Sequence, residues 1–119
     1  MKENNIILEK SFLFGLRIIK LHFYLKEKKV DRVLSLQLLR SGTSIGANVE
    51  EAMGGSSKKD FMQKLRIAYR EARETRYWLR LLKHAELLEA KLADSITSDC
   101  EEILRILTSI LNSLKTKNY

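Results

Sequence analysis

QLLRSGTSIGANVEEA, Gln37 to Ala52, sets Ser41, Gly42, Thr43, Ser44 and Gly46 into a segment whose apolar residues return at helical intervals. The stretch is either a loop that cradles a phosphate or a helix kept thin for a close neighbour. A phosphate loop needs a Gly-rich turn between a strand and a helix, and the P-loop form also needs a Lys-Ser/Thr pair. SGTSIG has neither. Placed on a helix at about 100° per residue, the segment resolves into stripes. Leu34, Leu38, Ile45, Val49 and Ala52 form an apolar one, and Gln37, Ser41, Ser44, Asn48 and Glu51 form a polar one at 4, 3, 4, 3 spacing. Gly42 and Gly46 share the far side with Leu39 and Met53. A mid-helix glycine costs up to about 1 kcal/mol relative to alanine, so the pattern predicts a continuous helix that another backbone approaches closely.

The polar stripe is built mostly from short hydrogen-bonding residues, not from the long charged ones of a solvated face. A buried amide left without a partner costs roughly 1–3 kcal/mol. The stripe therefore predicts a satisfied network between helices or between subunits, with a ligand or nucleotide pocket on that face as the functional alternative.

Working outward, three more helices follow from the spacing. The first runs from about Leu8 to Glu27 with Phe12, Leu16, Ile19 and Phe23 at 4, 3, 4 spacing, while Phe14, Ile18, Leu21 and Leu25 lie off that stripe. A helix apolar around so much of its circumference is buried on two sides, which points to a subunit interface, with a generously packed core as the plain alternative. The second runs from about Asp31 to Met53 and stops at Gly54-Gly55, residues suited to a left-handed C-terminal cap. Ser57 to Asp60 reads as a capping-box variant opening the third, which carries Phe61, Leu65, Ala68, Ala72, Thr75, Leu79 and Leu82 at unbroken 4, 3 spacing. The fourth begins between Ala90 and Ser95 and carries Ile96, Cys100, Ile103, Leu107, Ile110 and Leu114, with Lys115 and Lys117 suited to its negative end. Short connections make sequential helices antiparallel. The expectation is an all-α, up-down-up-down antiparallel four-helix bundle, one domain over residues 1–119.

Composition agrees. The 119 residues include no proline and five glycines, and a chain of this length buries roughly two-thirds of its unfolded surface in one core. The single cysteine, Cys100, excludes an internal disulfide and reads as a reduced core thiol. No apolar run approaches the ~20 residues of a membrane span, and the first residues lack the features of a secretory signal. A cytoplasmic protein without a membrane partner is expected. His22 and His84 are isolated, Glu50-Glu51 is not spaced for two ligands on one face, and no metal, cofactor or acid–base constellation emerges, so no enzyme is expected.

Charge is concentrated. Between Lys58 and Lys83 nine Lys or Arg stand against Asp60, Glu71 and Glu74, a net of +6 out of +7 for the chain. On the helical wheel Lys59, Arg66, Arg70, Arg73 and Arg80 gather on one face with Tyr77 among them, opposite the Phe61–Leu82 seam. Guanidinium forks match phosphate geometry, and a tyrosine between them suits stacking on an exposed base. The face is a candidate for low-specificity RNA or DNA binding; a solvated face paired with Glu71 and Glu74, or with a neighbouring subunit, is the plain alternative. A protein-interaction scaffold that never touches nucleic acid is the rival function.

The core Gln37, Arg40, Ser41, Ser44, Ile45, Asn48 and Glu51, followed by Phe61, Leu65, Ala68, Glu71 and Glu74, resembles the four-helix-bundle proteins encoded by intervening sequences of bacterial 23S ribosomal RNA genes. That group looks related to the accessory variability determinant proteins of diversity-generating retroelements. The resemblance spans nearly the whole chain, which departs from it in having Ala52 where many relatives have glycine and no proline before the second helix. It implies a homopentamer arranged as a barrel and a nucleic-acid-binding or accessory role in place of catalysis. A retroelement role would add a reverse transcriptase as partner.

Overall fold

The computed structural model describes residues 2–116, and Lys117 lies outside them. Four helices account for most of the chain: α1 (Lys2–Glu27), α2 (Arg32–Met53), α3 (Lys58–His84) and α4 (Ala90–Thr116). Each packs on its neighbour in sequence, and α4 closes back on α1. The result is an up-down-up-down antiparallel four-helix bundle with extents of 48 × 21 × 20 Å.

Local chemistry sets the helix ends. Asp31 caps α2, its carboxylate accepting from the Val33 N–H at 2.9 Å, and the Ser57 hydroxyl accepts from the Asp60 N–H at 3.1 Å to cap α3. The Asp60 carboxylate accepts from the Ser56 hydroxyl at 2.9 Å, so one arm of the capping box comes from the residue before the cap. Helices α1 and α3 end alike. The Val30 N–H reaches the Leu25 carbonyl and the Lys29 N–H that of Lys26, each at 3.0 Å, while Leu87 and Glu86 repeat this pattern onto Leu82 and Lys83. These are Schellman closures, with Lys29 at φ 60° and Glu86 at φ 61° in the left-handed region.

The expected left-handed cap at Gly54-Gly55 is corrected. Gly54 has φ −91° and ψ 3°, and no glycine has positive φ among the described residues. The N–H groups of Gly54 and Gly55 bond three residues back, to Glu51 and Ala52, which tightens the last turn without a left-handed residue. Gly55 serves proximity instead. A Cβ there would stand 3.2 Å from the Ala52 carbonyl oxygen and 3.4 Å from the Asp60 Cβ.

The core takes Ile7, Phe14, Ile18, Leu21 and Leu25 from α1 and Leu38, Ile45, Val49 and Ala52 from α2, joined by Leu65, Ala68, Ala72, Leu79 and Leu82 of α3 and Ile96, Cys100, Ile103, Leu107 and Ile110 of α4. On α3, Met62 is buried where Phe61 was expected and Phe61 is half-buried. The structure also selects the inward face of α1, which its two apolar stripes left open. Ile7, Phe14, Ile18, Leu21 and Leu25 point inward, and Phe12, Leu16, Ile19 and Phe23 are exposed, Phe12 by 64% and Phe23 by 55%.

Helix α2 is unbroken through the opening segment, and α1 explains its glycines. A Cβ on Gly42 would lie 2.8 Å from both γ-carbons of Ile18, and one on Gly46 would lie 3.1 Å from the Ser11 carbonyl oxygen. Two turns of α2 are thinned so that α1 lies directly against them. On its other side, α2 packs on α3, where Ala68, Ala72 and Thr75 are small and fully buried and Thr75 meets Ser41 of α2.

Candidate functional site

The predicted basic residues fall on one exposed face of α3. Lys59, Arg66, Arg70, Arg73, Tyr77 and Arg80 are all exposed. Beyond Lys58, the Lys and Arg residues of α3 divide into two sets. Those on its flanks are engaged: Lys64 lies 4.0 Å from Glu51, Arg76 3.9 Å from Glu101, and Lys83 2.7 Å from Asp94. Among the described residues, Lys59, Arg66, Arg70, Arg73 and Arg80 make no ion pair. Arg73 lies over the Tyr69 ring at 6.0 Å, and Tyr77 meets Trp78 edge-on at 5.4 Å.

Glu71 and Glu74 do not neutralise that face, because Arg40 of α2 holds both. Its guanidinium donates to Glu71 at 3.3 Å and to Glu74. Glu74 also accepts from the Trp78 indole N–H at 3.0 Å. That bond, with Arg40 beside it, holds the Glu74 carboxyl below the usual range, and Glu74 in turn raises Arg40. The clamp escaped the sequence reading; an arginine on α2 and two carboxylates three residues apart on α3 were its only trace.

The polar stripe of α2 is graded in burial. Ser41 is buried, Gln37, Ser44 and Asn48 are half-buried, and Glu51 is exposed. Ser41 meets Thr75 of α3 across the interface at 3.0 Å. The Asn48 amide turns back along its own helix, donating to the Ser44 carbonyl at 2.9 Å and hydroxyl at 3.1 Å. The stripe therefore supplies one interhelical hydroxyl contact and local back-bonding. Its outer end is solvated, since Glu51 sits near the α2 C-terminus where only the long Lys64 contact reaches it.

On α1 the exposed stripe borders a groove of about 260 Å³ against α2, lined by Phe12, Gly15, Leu16, Ile19, Gly46 and Ala47 among others. Nothing stands within 4 Å of where a Gly15 Cβ would be. Toward α4 the flank of α1 is polar and paired, with Arg17 donating to Asp99 at 2.6 Å and Lys10 3.2 Å from Glu102. Cys100 is buried, its thiol donating to the Ala72 carbonyl at 3.2 Å, and burial pushes its pKa up to about 12. Among the described residues no cluster of His, Cys, Asp and Glu is placed to hold a metal, and no helix is long and apolar enough to cross a membrane.

This fold and these surfaces define an antiparallel four-helix bundle with one unpaired cationic face and one bare apolar face. Residues 3–109 match the 23S rRNA-intervening sequence protein family, to which the chain belongs. A crystal structure of a protein of unknown function from the S23 ribosomal protein family, from Bacteroides thetaiotaomicron, is similar at 44% identity and a TM-score of 0.90, over 92% of this chain and 98% of that one. No curated protein matches.

Proposed function

We propose that the protein is a non-catalytic oligomer that binds RNA or DNA with little sequence preference through the outer face of α3. The observation that carries this reading is the unpaired state of Lys59, Arg66, Arg70, Arg73 and Arg80. On the flanks of α3, Lys64, Arg76 and Lys83 pair with acids, whereas these five make no ion pair among the described residues, Arg73 lying over Tyr69, with Tyr77 among them as a stacking contact. The bare stripe of Phe12, Leu16, Ile19 and Phe23 supports self-association, and the family resemblance makes a pentamer the preferred stoichiometry. Repetition of the stripe around an oligomer adds weak phosphate contacts through effective concentration.

Binding by counterion release makes log K fall by about 0.7–0.9 per neutralised phosphate for each tenfold rise in salt. Changing Arg66, Arg70 and Arg73 together to Gln lowers both affinity and salt slope for a mixed RNA and DNA panel, with helicity and oligomer mass unchanged. Equal binding by the triple variant and the parent defeats the reading. Light scattering returning the 13.8 kDa monomer mass at micromolar concentration defeats the oligomer.

A second reading, a scaffold for another protein such as a reverse transcriptase, is favoured by the apolar α1–α2 groove. Nuclease treatment during pull-down separates the two, because a direct protein partner survives it and an RNA-bridged one does not.

A further inference from the structure

Where α1 turns into α2, a cavity of about 360 Å³ is lined by His22, Lys26, Val30, Arg32 and Ser35. Three of its five lining residues carry basic nitrogen and none is acidic. Among the described residues, Lys26 and Arg32 make no ion pair. The carboxylates adjacent in sequence, Glu27 and Asp31, do not line the cavity, and Asp31 accepts from the Val33 N–H as the cap of α2. The cavity between α1 and α4 shows the contrast: there Lys10 and Arg17 face Glu102 and Asp99 across the same space.

His22 adds a second, independent observation. Its Nδ1 is buried without a hydrogen-bond partner, an arrangement that calls for an explanation. A neutral imidazole carries its proton on one nitrogen, and a charged one carries protons on both. The ring lines the same space as the Lys26 ammonium and the Arg32 guanidinium. An arginine fork, a lysine point charge and an imidazole ring line one concave space with no acidic residue in its lining. The buried Ser35 hydroxyl donates to the Arg32 carbonyl at 3.2 Å and steadies the first turn of α2 beside it.

We propose that this cavity binds a phosphate group through Lys26, Arg32 and His22, as an ester whose remainder occupies the rest of the space. Arginine and lysine together suit a phosphate oxyanion, and the volume falls in the range of small-ligand sites. The ester is either a small phosphorylated molecule such as a nucleotide or one unit of a nucleic-acid strand. The site is separate from the α3 face and does not depend on it.

The test follows the ring ¹⁵N and ¹H signals of His22 in the full chain, with His84 as internal reference. Inorganic phosphate, adenosine monophosphate and a short oligothymidylate are titrated at constant ionic strength with chloride as balancing anion. The expected result is a saturable shift of His22 with at least one phosphate probe, weakened about tenfold or more in the Lys26→Gln/Arg32→Gln variant, as loss of charge-assisted hydrogen bonds requires. The Arg66, Arg70 and Arg73 triple Gln variant keeps the shift, so failure of the α3 reading leaves this one standing. Tighter binding of the mononucleotide assigns a small ligand; tighter binding of the oligomer assigns a strand. No saturable His22 shift with any probe, or an undiminished shift in the helical Lys26→Gln/Arg32→Gln variant, overturns the proposal.

Discussion

The hydroxyls of Ser41 on α2 and Thr75 on α3 lie 3.0 Å apart in the fully buried contact between those helices. Each has a fallback on its own helix: Thr75 lies 2.8 Å from the Glu71 carbonyl and Ser41 3.4 Å from that of Leu38. Two hydroxyls share two protons among three contacts. Thr75→Val leaves Ser41 with only its long local acceptor and lowers stability by about 1 kcal/mol. Ser41→Ala combined with Thr75→Val costs less than the sum of the singles, because no polar atom is then left behind. Urea unfolding of the four proteins of the cycle measures the difference, and strict additivity refutes the pairing.

Two glycines mid-helix have opposite expected responses to alanine. Gly15 has nothing near its missing Cβ, so Gly15→Ala raises stability by up to about 1 kcal/mol through helix propensity. Gly42 faces the stiff, β-branched Ile18 at 2.8 Å. Overpacking there costs about 1–3 kcal/mol, more than propensity returns, and thermal unfolding shows a lower Tm for Gly42→Ala.

Lys29 and Glu86 hold left-handed backbone at φ 60° and 61°, a conformation that disfavours residues bearing a Cβ. Replacing either by glycine relieves that strain and raises stability by about 0.5 kcal/mol after the entropy of the more flexible unfolded chain is counted. Glycine at Gly54 follows another rule: its φ is negative, so Gly54→Ala is expected to be neutral or mildly stabilising in the same denaturation assay.

Cys100 behaves as a core residue with a proton. Burial raises its pKa to about 12 from the ordinary 9.0, so the folded state holds the proton more tightly than the unfolded state. Its contribution is complete below about pH 9 and is lost as pH rises toward 12. The native thiol is therefore silent to a thiolate-specific disulfide reagent at pH 8, and labelling tracks global unfolding when urea is added. Rapid labelling of the native protein refutes the burial argument.

Glu74 has the opposite linkage. Its carboxyl is held below the ordinary 4.5, first by the Trp78 N–H and then by Arg40. It stabilises the fold above that value, and the contribution is lost as pH falls through the lower folded one. Glu74→Gln flattens the acid limb of the stability curve; an acid limb identical to the parent's removes the clamp's role.

Helix number, order and most of the buried face of α2, α3 and α4 follow from the sequence alone, because in those helices apolar residues occupy one angular sector and polar residues the rest. The continuity of α2 and the close approach at Gly42 and Gly46 were legible for the same reason: a glycine in a strong helical pattern is unfavourable unless a neighbour needs the room. What periodicity conveys is the angle of a residue about its own helix axis, not the rotation of that helix within the bundle. Helix α1 is apolar around much of its circumference, so its own pattern could not choose between Phe12, Leu16, Ile19, Phe23 and Ile7, Phe14, Ile18, Leu21, Leu25. Packing in the bundle turned the second set inward, with Ile18 and the Ser11 backbone seated against Gly42 and Gly46 of α2. Ion pairing was likewise a tertiary matter. Arg40 took Glu71 and Glu74 because α2 lies beside α3 at that height, which left the outer arginines of α3 uncompensated. The basic cavity between α1 and α2 arose in the same way, since His22, Lys26 and Arg32 become neighbours only when the chain reverses at Lys29.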